Sequence, residues 1–368
     1  MIKILHIARP IAGVGVYISL LAKHIDNSLF KNFLICNEGE NIIEVRNKSG
    51  NKIETFHVNI IRKINLINDL KSVFQIIKII RKVNPDIIHC HSAKAGILGR
   101  IVGFFLKKKT FYTPHAYSYL SSDSRLKTII FKNIERFFGF FPSKTLACSK
   151  SEYERAIFEL KIKRSKVFIW ENSIEDVSHL NLEKSEIIKG EYICSIGRPS
   201  YQKNTELLVK SILRIKKVKP EIHLVILGVG FYSPSLKKIE SFILKNNLSK
   251  NITLIPWLDR KKSLSILKNS LLYVSTSRYE GLSYAAIEAL SLGKPCVLTN
   301  VDGNKDLIKN NYNGFLVKES SLDVSEKILK IINSEKLLLN MSKNAKKKFE
   351  NFYNIENNIK ILEKLYLF

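Results

Sequence analysis

Short apolar segments alternate with longer amphipathic segments along the whole chain of 368 residues. In the first half the short segments carry their hydrophobic residues almost without interruption, which is typical of strands that are covered on both faces. Alternation of this kind predicts parallel sheets with helices on both faces. The predicted strands of the first half are IKILHIA, NFLIC, DIIHCH, TFYTPH and KTLACS.

The alternation stops at a polar, irregular stretch over residues 171–190 and then begins again. The second series of predicted strands is YICSIG, HLVILG, ITLIP, LLYVSTS, KPCVLT and GFLV, and helices are predicted over 322–332, 335–350 and 355–367. We therefore predict two doubly wound, Rossmann-like α/β domains joined by a linker, with a cleft between them. In sheets of this type, ligands bind outside the carboxyl ends of the strands.

The chain is strongly basic, with 60 Lys and Arg against 33 Asp and Glu and a formal net charge of +27. Residues 1–170 hold 29 of the basic and 12 of the acidic residues. Such charge favours nucleic acid, an anionic membrane surface or anionic substrates as partners. Abundant Lys, Ile and Asn also indicate codon bias as a source of the charge. Because no interleaved aromatic and basic platform is present, nucleic-acid binding is the remote alternative.

The cysteines are far apart and form no CxxC pair: Cys36, Cys90, Cys148, Cys194 and Cys296. Their apolar surroundings predict reduced, buried thiols rather than a disulfide framework or a zinc site. The chain begins directly with a predicted strand and has no apolar run of about 18 residues, the length of a membrane-spanning helix. We therefore expect a cytoplasmic protein, held peripherally on the cytosolic face of the inner membrane.

Two loops after predicted strands combine glycines or cations with the start of a helix. Gly13 and Gly15 come before a predicted helix, where glycine lets the backbone approach a phosphate. A plain tight turn would give the same pattern. Arg198 and Lys203 follow the strand YICSIG, again just before a helix. A rigid guanidinium and a mobile ammonium suit a diphosphate, while two solvated surface cations are the alternative.

The segment SRYEGLSYAAIEALSLGKPCVLT holds two glutamates eight positions apart, Glu280 and Glu288. The pattern predicts a turn at Gly281 and a helix that starts near Leu282 or Ser283, whose first N–H groups would bind a diphosphate. Attraction to the helix dipole accounts for Glu280. It does not account for Glu288 in mid-helix, where a carboxylate is a good acceptor for a ribose diol.

Three histidines fall at the ends of predicted strands: His89, His91 and His115. His89 and His91 project to the same side of one strand, but the sequence shows no third ligand, and we predict no metal site. We interpret His89 as a hydrogen-bonded core residue. His115 follows Thr-Pro at a strand terminus, where its side chain would enter the predicted cleft, and it is the better functional candidate.

Taken in order, these motifs resemble those of the retaining glycosyltransferases of the GT-B fold, family 4, over nearly the whole chain. The matching features are the Gly13 and Gly15 loop, PDIIHCHSAKAGILGR, TPHAYSYL, Arg198 with Lys203, NYNGFLV, and Glu280 with Glu288 as an E-x7-E signature. The resemblance implies an acceptor-side domain over 1–170 and a nucleotide-sugar domain over 171–350. It also implies a C-terminal helix over 351–368 that crosses back to the first domain.

The resemblance further implies the donor and the roles of individual residues. The donor would be a nucleotide diphosphate sugar, taken as UDP-linked, and no metal or other cofactor would be required. The roles implied are Arg198, Lys203 and Gly13 at the diphosphate, Glu288 at the ribose, and Glu280 and His115 at the sugar. Further candidates by position are Gly15, Gly281, Leu282 and Ser283 at the donor, Trp257 and Leu258 near the base, and His91 and Lys94 on the acceptor side.

Two positions depart from the family pattern: Ser173 stands where the linker motif has Gly, and Asp306 stands where Glu is commoner.

The implied acceptor is a lipid-linked saccharide, and the implied setting is the biosynthesis of O-antigen, capsule or exopolysaccharide. The enzyme is expected to be a monomer or weak oligomer. The stretches FFLKKKTF and KNIERFFGFFPSK in the basic half suit an anionic membrane surface. A nucleotide-sugar 2-epimerase and a phosphorylase are the alternatives on the same fold.

Overall fold

The computed structural model describes residues 1–38, 43–61, 65–122, 124–182, 190–230 and 233–368. It divides into two compact units: unit 1 is Met1–Asn172 with Ile355–Phe368, and unit 2 is Ser173–Asn354. The sequence places these boundaries at 170/171 and 350/351, within four residues of the structural ones. Residues 183–189 of the predicted linker lie outside the described residues.

The strands of unit 1 are β1 (Ile2–Ile7), β2 (Phe30–Cys36), β3 (Glu54–His57), β4 (Ile87–His91), β5 (Lys109–Thr113), β6 (Ser143–Ala147) and β7 (Val167–Ile169). Those of unit 2 are β8 (Ile193–Ile196), β9 (Leu224–Val229), β10 (Ile252–Pro256), β11 (Tyr273–Ser275), β12 (Cys296–Thr299) and β13 (Gly314–Val317). Within the described residues both sheets are wholly parallel, in the orders β3-β2-β1-β4-β5-β6-β7 and β10-β9-β8-β11-β12-β13.

The first helices of unit 1 are α1 (Ala12–His24), α2 (Leu66–Val83), α3 (Ser92–Phe105), α4 (Arg125–Gly139) and α5 (Lys150–Glu154). Unit 2 has α6 (Thr205–Lys216), α7 (Leu236–Lys245), α8 (Arg260–Asn269), α9 (Tyr284–Ser291), α10 (Asn304–Leu307), α11 (Ser321–Ile332) and α12 (Glu335–Phe352). The last helix, α13 (Ile355–Leu367), belongs to unit 1. The three predicted C-terminal helices are therefore confirmed.

Side-chain caps fix where many of these helices begin. In each case a side-chain oxygen accepts a hydrogen bond from the backbone N–H three residues later, which satisfies a donor that the helix itself leaves open. The capping residues are Asn65, Ser124, Ser149, Asp259, Ser283 and Ser334.

Each unit has its own hydrophobic core between its sheet and its helices. The central strands β1, β4, β8 and β11 are almost fully buried, which explains their continuous apolar runs. All five cysteines are buried free thiols, as predicted. The strand order reverses between β1 and β4 in unit 1 and between β8 and β11 in unit 2. These switch points direct attention to the carboxyl ends of those strands.

Candidate functional site

The predicted diphosphate residues of unit 2 follow β8 at the switch point of its sheet. The chain leaves β8 at Ile196 and turns at Gly197. A β-carbon on Gly197 would lie 3.1 Å from side-chain carbons of Lys203, so glycine makes room for that lysine to fold back over the end of the strand. Arg198 follows Gly197 and is exposed. Both predicted cations are thus brought to one strand end.

Lys203 and Glu280, which the sequence assigns to different parts of the donor, contact each other. The ammonium of Lys203 donates to Oε1 of Glu280 over 2.6 Å. The hydroxyl of Ser277 donates to the same oxygen over 2.7 Å, and it lies 3.0 Å from the hydroxyl of Ser275 at the end of β11. Glu280 is only 7% exposed, so the paired cation and the hydroxyl are what make its burial tolerable. The carboxylate is held in one orientation with a positive charge beside it.

The loop between Glu280 and α9 ends at a helix start that agrees with the predicted one. The helix begins at Tyr284 with Ser283 as its N-cap, next to the start predicted near Leu282 or Ser283, and Leu282 precedes the cap. Ser283 takes an extended backbone and accepts a hydrogen bond from the N–H of Ala286 over 3.4 Å. Both residues are buried in the loop.

A glycine on a neighbouring loop fixes the path of this segment. Gly303 follows β12, and a β-carbon there would lie 2.5 Å from the carbonyl oxygen of Gly281. Its φ of +75° is also one that glycine adopts without strain. The backbone of the loop over residues 280–283 therefore packs directly against the backbone at Gly303.

Glu288 lies in the middle of α9, as predicted, and has a partner that the sequence analysis missed. Nε of Arg260 donates to Oε1 of Glu288 over 3.0 Å. Burial raises the pKa of the Glu288 carboxyl, and the charge of Arg260 opposes that rise. Arg260 could have been found from its place in the sequence IPWLDR, two positions after Leu258, one of the residues predicted to lie near the base.

Trp257 comes close to the turn that carries the cations. The site of a β-carbon on Gly228 would lie 3.8 Å both from Cε3 of Trp257 and from the backbone of Gly197. The side chain of Trp257 is 78% exposed, while Leu258 is half-buried. An exposed indole at the ends of β8 and β9 offers a flat apolar face on which a planar base can stack.

The two glycines of the first loop of unit 1 lie inside α1, and the prediction that they precede a helix is wrong. The helix begins at Ala12, so Gly13 and Gly15 belong to its first turn. A β-carbon on Gly15 would lie 2.6 Å from the carbonyl oxygen of Pro10, so this glycine permits close packing of the helix on the preceding loop. Gly13 is exposed.

Strained backbone marks the carboxyl edge of the unit 1 sheet. Residues in the connections that follow β1, β4 and β5 have positive φ without being glycine: Ala12 at 49°, Ser92 at 66°, His115 at 54° and Ala116 at 74°. Each costs roughly 1–2 kcal/mol, and such strain clusters at functional sites. Glu152 offsets part of the cost, because its Oε1 accepts from the N–H of Ala116 over 2.8 Å.

Behind that edge, three buried histidines lie side by side. His6 on β1 pairs in register with His89 on β4, and His91 ends β4. Nδ1 of His6 is 3.1 Å from Nε2 of His91, and Nδ1 of His91 is 3.1 Å from Nε2 of His115. Nε2 of His6 is also 3.1 Å from Oδ1 of Asn32. His6 and Asn32 are not recognisable from the sequence, because both lie within apolar strand runs.

His89 makes its own bonds, as expected of a core histidine. Its Nδ1 lies 2.6 Å from the hydroxyl of Tyr366 on α13, and its Nε2 lies 2.9 Å from the hydroxyl of Thr113. These contacts tie the last helix of the chain to the centre of the unit 1 sheet.

His6 supplies the third imidazole that the sequence did not reveal. The ligand atoms of His6, His89 and His91 lie within 4.8 Å of one another, which raises the question of a metal ion. Every ring nitrogen of the three is already within 3.1 Å of a protein hydrogen-bonding partner. A metal ion would have to displace several of these bonds, so the arrangement fits a hydrogen-bonded network better than a ligand set.

The two acceptor-side candidates have different surroundings. His91 is fully buried and lies directly behind His115. Lys94, in the first turn of α3, donates to Oδ2 of Asp69 over 2.5 Å. His115 itself is half-buried, with the ring of Tyr17 4.6 Å away in an edge-on orientation. Its position after β5 agrees with the predicted strand terminus.

Known glycosyltransferases resemble this chain in sequence over most of its length. The family models "Glycosyltransferase Family 4" and "Glycosyl transferases group 1" match residues 11–177 and 180–348. The chain is 30% identical to the UDP-Gal:alpha-D-GlcNAc-diphosphoundecaprenol alpha-1,3-galactosyltransferase of Escherichia coli, covering 93% of this chain and 90% of that protein. It is 26% identical to the capsular polysaccharide biosynthesis glycosyltransferase CapM of Staphylococcus aureus, over 83% and 82% of the two.

Solved structures share the fold at low sequence identity. Sucrose-phosphate synthase of Thermosynechococcus elongatus matches with a TM-score of 0.81 and 16% identity, over 100% of this chain and 98% of that one. HepE of Anabaena, solved in complex with UDP and glucose, matches with a TM-score of 0.80 and 17% identity over 99% of each chain. With the sequence relatives, these matches establish that the chain is a glycosyltransferase of the GT-B fold and belongs to family 4.

Proposed function

We propose that this glycosyltransferase moves a hexose from a UDP-sugar to a lipid-linked saccharide in the assembly of a cell-surface polysaccharide, with retention of anomeric configuration. The observation that carries the proposal is the 2.6 Å pair of Lys203 and Glu280, next to Arg198 at the switch point of unit 2. Two cations and one oriented carboxylate are what a diphosphate joined to a sugar requires. The Escherichia coli relative has a UDP-Gal donor and a GlcNAc-diphosphoundecaprenol acceptor in its name.

In the proposed reaction, the bond between C1 of the sugar and the diphosphate oxygen breaks, and its electron pair leaves with UDP. A hydroxyl oxygen of the acceptor bonds to C1 on the face that the diphosphate leaves, and its proton passes to the departing phosphate. Arg198 and Lys203 stabilise the negative charge that develops on the diphosphate, each contributing a factor of about 10² to 10³ in kcat. Glu280 holds the sugar and lies where positive charge forms on its ring.

We further propose that transfer needs no metal ion. The charges of Arg198 and Lys203 supply the neutralisation that a divalent cation gives in other transferases of activated phosphates. Undiminished turnover in excess EDTA supports this part of the proposal, and a loss that Mg²⁺ or Mn²⁺ restores contradicts it.

The nucleoside end of the donor would bind at α8 and α9. The carboxylate of Glu288 accepts hydrogen bonds from the ribose diol, and the guanidinium of Arg260 beside it favours its charged form against burial. The exposed ring of Trp257 stacks on the base, with Leu258 beside it. In unit 1, the family resemblance assigns His115 to the donor sugar and Gly13 to the diphosphate.

A surface of unit 1 fits the membrane that carries a lipid-linked acceptor. The aromatic patch consists of Phe105, Phe104, Phe141 and Phe137, and in that order the successive ring centroids are 5.5, 5.4 and 5.7 Å apart. Phe105 is 72% exposed, and three lysines at 107–109 follow it after Leu106. Apolar rings beside a basic run match an anionic lipid surface. We therefore propose peripheral attachment to the cytosolic face of the membrane; none of the described helices is both long and apolar enough to cross a bilayer.

The test starts with a thermal-shift screen over UDP-, GDP- and dTDP-linked hexoses, because a true donor raises the melting temperature by mass action. The stabilising donor is then incubated with undecaprenyl diphosphate-linked GlcNAc, and the anomeric configuration of the product is read by NMR. We expect one UDP-hexose to stabilise the protein and to give a product with the donor's configuration. Stabilisation by GDP- or dTDP-sugars alone, or an inverted product, contradicts the proposal. Donor conversion without acceptor would indicate an epimerase instead.

A further inference from the structure

A continuous series of side-chain contacts runs across four neighbouring strands of unit 1 towards His115. Asn32 on β2, His6 on β1, His91 at the end of β4 and His115 after β5 form what we call the imidazole chain. Its three contacts are each 3.1 Å, from Asn32 to His6, from His6 to His91, and from His91 to His115. The first three members are at most 6% exposed, and His115 is the member that solvent reaches.

All three imidazoles are neutral at physiological pH. Burial lowers the pKa of His6 to about 4 and that of His115 to about 3, and it holds the pKa of His91 well below 6.5. A neutral imidazole has one N–H donor and one acceptor nitrogen. In a chain of such rings, the direction of one hydrogen bond therefore fixes the direction of all the others.

Asn32 sets that direction. Its Oδ1 can only accept, so Nε2 of His6 must carry the proton, and Nδ1 of His6 must accept. His91 then donates from Nε2 to His6 and accepts at Nδ1. His115 donates from Nε2 to His91, which leaves its Nδ1 without a proton.

We infer that Asn32 fixes the tautomer of His115 through His6 and His91, and that Nδ1 of His115 is thereby a permanent hydrogen-bond acceptor for a hydroxyl group of the substrate sugar. Asn32, His6 and His91 are positioning residues in this scheme. The assignment of the hydroxyl to the donor sugar rests on the proposed function, whereas the tautomer does not.

An acceptor nitrogen selects the chemistry of the group opposite it. A sugar hydroxyl can donate to it, but a deoxy position cannot, and a carboxylate would face the nitrogen lone pair. We therefore expect a hydroxyl-bearing hexose at this position in preference to a deoxy sugar or a uronic acid. The geometry around His115 supports a fixed ring, because Ala116 is held by Glu152 and Tyr17 packs edge-on against the imidazole.

Nitrogen NMR of the full-length protein labelled with ¹⁵N-histidine tests the tautomer directly. Two-bond and three-bond ¹H–¹⁵N correlations distinguish the Nε2–H from the Nδ1–H form, and the spectrum of His115→Ala identifies the His115 ring. We expect the Nε2–H form for His115 at pH 7.5. An Nδ1–H form, or a charged ring, overturns the inference without the need for any other variant.

Variants of Asn32 separate a positioning role from a merely structural one. Asn32→Gln keeps an uncharged amide oxygen that can accept from Nε2 of His6, and it should keep the tautomer of His115. Asn32→Leu removes the acceptor, should move proton density to Nδ1 of His115, and should lower kcat/KM for the donor about tenfold, the equivalent of one hydrogen bond. Unchanged His115 signals in Asn32→Leu would contradict the inference. If the purified protein retains zinc and the His6→Asn variant does not, the histidines bind a metal ion instead of forming the imidazole chain. That result would also overturn the inference.

A normal tautomer with no glycosyl transfer leaves the inference standing and contradicts the proposed function. A normal transfer with the wrong tautomer does the reverse. The two proposals therefore fail by different measurements.

Discussion

The ammonium of Lys203 and the carboxylate of Glu280 lie 2.6 Å apart, although 77 positions separate them in the chain. The contact joins the end of β8 to the segment after β11, the two sides of the switch point in unit 2. Each residue fixes the other side chain, and in the proposed function it also presents its own charge to a bound donor. Stability and activity should respond together when either is changed.

Lys203→Ala is predicted to leave Glu280 buried with only Ser277 as a donor. We expect the free energy of unfolding to fall by about 1–3 kcal/mol and kcat/KM to fall at least about 100-fold. Urea denaturation and steady-state kinetics measure the two effects. Lys238→Ala is the matched control, since it removes an ion pair with Glu206 whose lysine side chain is 71% exposed, and it should change stability by less than about 0.5 kcal/mol. Near-normal turnover of Lys203→Ala at saturating donor would remove Lys203 from the site.

Glu288→Gln is predicted to change the pH dependence of stability. Burial raises the pKa of the Glu288 carboxyl above the ordinary 4.5, so the protonated form favours folding and ionisation opposes it. The stability from this group is present at low pH and is lost as pH rises through the raised pKa. The Gln variant, neutral throughout, should therefore gain stability relative to the parent as pH rises from below the ordinary 4.5 through the raised pKa.

Paired urea titrations at several pH values measure this gain. If the parent instead becomes more stable relative to Glu288→Gln as pH rises, the attraction of Arg260 for the carboxylate outweighs the cost of burying its charge. Donor affinity should fall about tenfold at neutral pH, because the ribose diol loses a charged acceptor.

These pairings show where prediction from the sequence succeeds and where it stops. The doubly wound fold is readable because buried parallel strands carry continuous apolar runs. The short edge strand β3 is not readable, since ETFH is largely exposed and has no such run. Likewise Arg198, Lys203 and Glu280 stand out as charges near helix starts and Glu288 as a carboxylate in mid-helix, but their partners depend on which strands become neighbours.

His6 illustrates the second limit. Its ring is fully buried in β1, and its role depends on the register that sets β1 beside β4. Only the three-dimensional adjacency reveals that an apolar-looking strand contributes an imidazole to a polar network. The prediction that Gly13 and Gly15 precede the helix was wrong for a related reason. The close packing of Gly15 on Pro10, which the sequence does not reveal, places both glycines within the helix.

The free energy of unfolding of unit 1 is predicted to fall steeply with decreasing pH, because four of its histidines are buried. Burial depresses the pKa of His6, His89, His91 and His115, so the native rings stay neutral while the unfolded chain binds protons below about pH 6.5. The stability that these neutral rings contribute is fully present above pH 6.5 and is lost as the pH falls below it. The loss is up to about 1.4 kcal/mol of unfolding free energy per pH unit for each ring.

Calorimetry in buffers of different ionisation enthalpy counts the protons taken up on unfolding near pH 5.5. His89→Gln should reduce the uptake by roughly one proton. Equal uptake in the two proteins would show that the buried His89 ring does not control acid stability.

Phe105→Ser is predicted to weaken binding to vesicles that contain anionic lipid. Loss of one inserted ring should lower the partition coefficient about tenfold, and added salt should weaken the remaining binding by screening residues 107–109. Vesicle flotation with anionic and with zwitterionic lipid measures both. Phe158→Ser is the control, because Phe158 is 60% exposed but lies outside the aromatic patch. Equal losses for both variants, or binding that ignores lipid charge, would contradict the proposed surface.

Gly303→Ala is predicted to disturb the donor site through the backbone of a neighbouring loop. A β-carbon at Gly303 would meet the carbonyl oxygen of Gly281 at 2.5 Å and would also strain a φ of +75°. Gly50→Ala separates the two effects, because Gly50 has a φ of +81° and open space where the β-carbon would go. Both variants should lose about 1 kcal/mol from the backbone conformation. Only Gly303→Ala should displace Gly281 and Leu282 and thereby weaken donor binding in the thermal-shift assay, since Glu280 and the helix cap at Ser283 flank that segment. If both variants bind the donor alike, the path of the loop does not depend on Gly303, and its close packing serves stability alone.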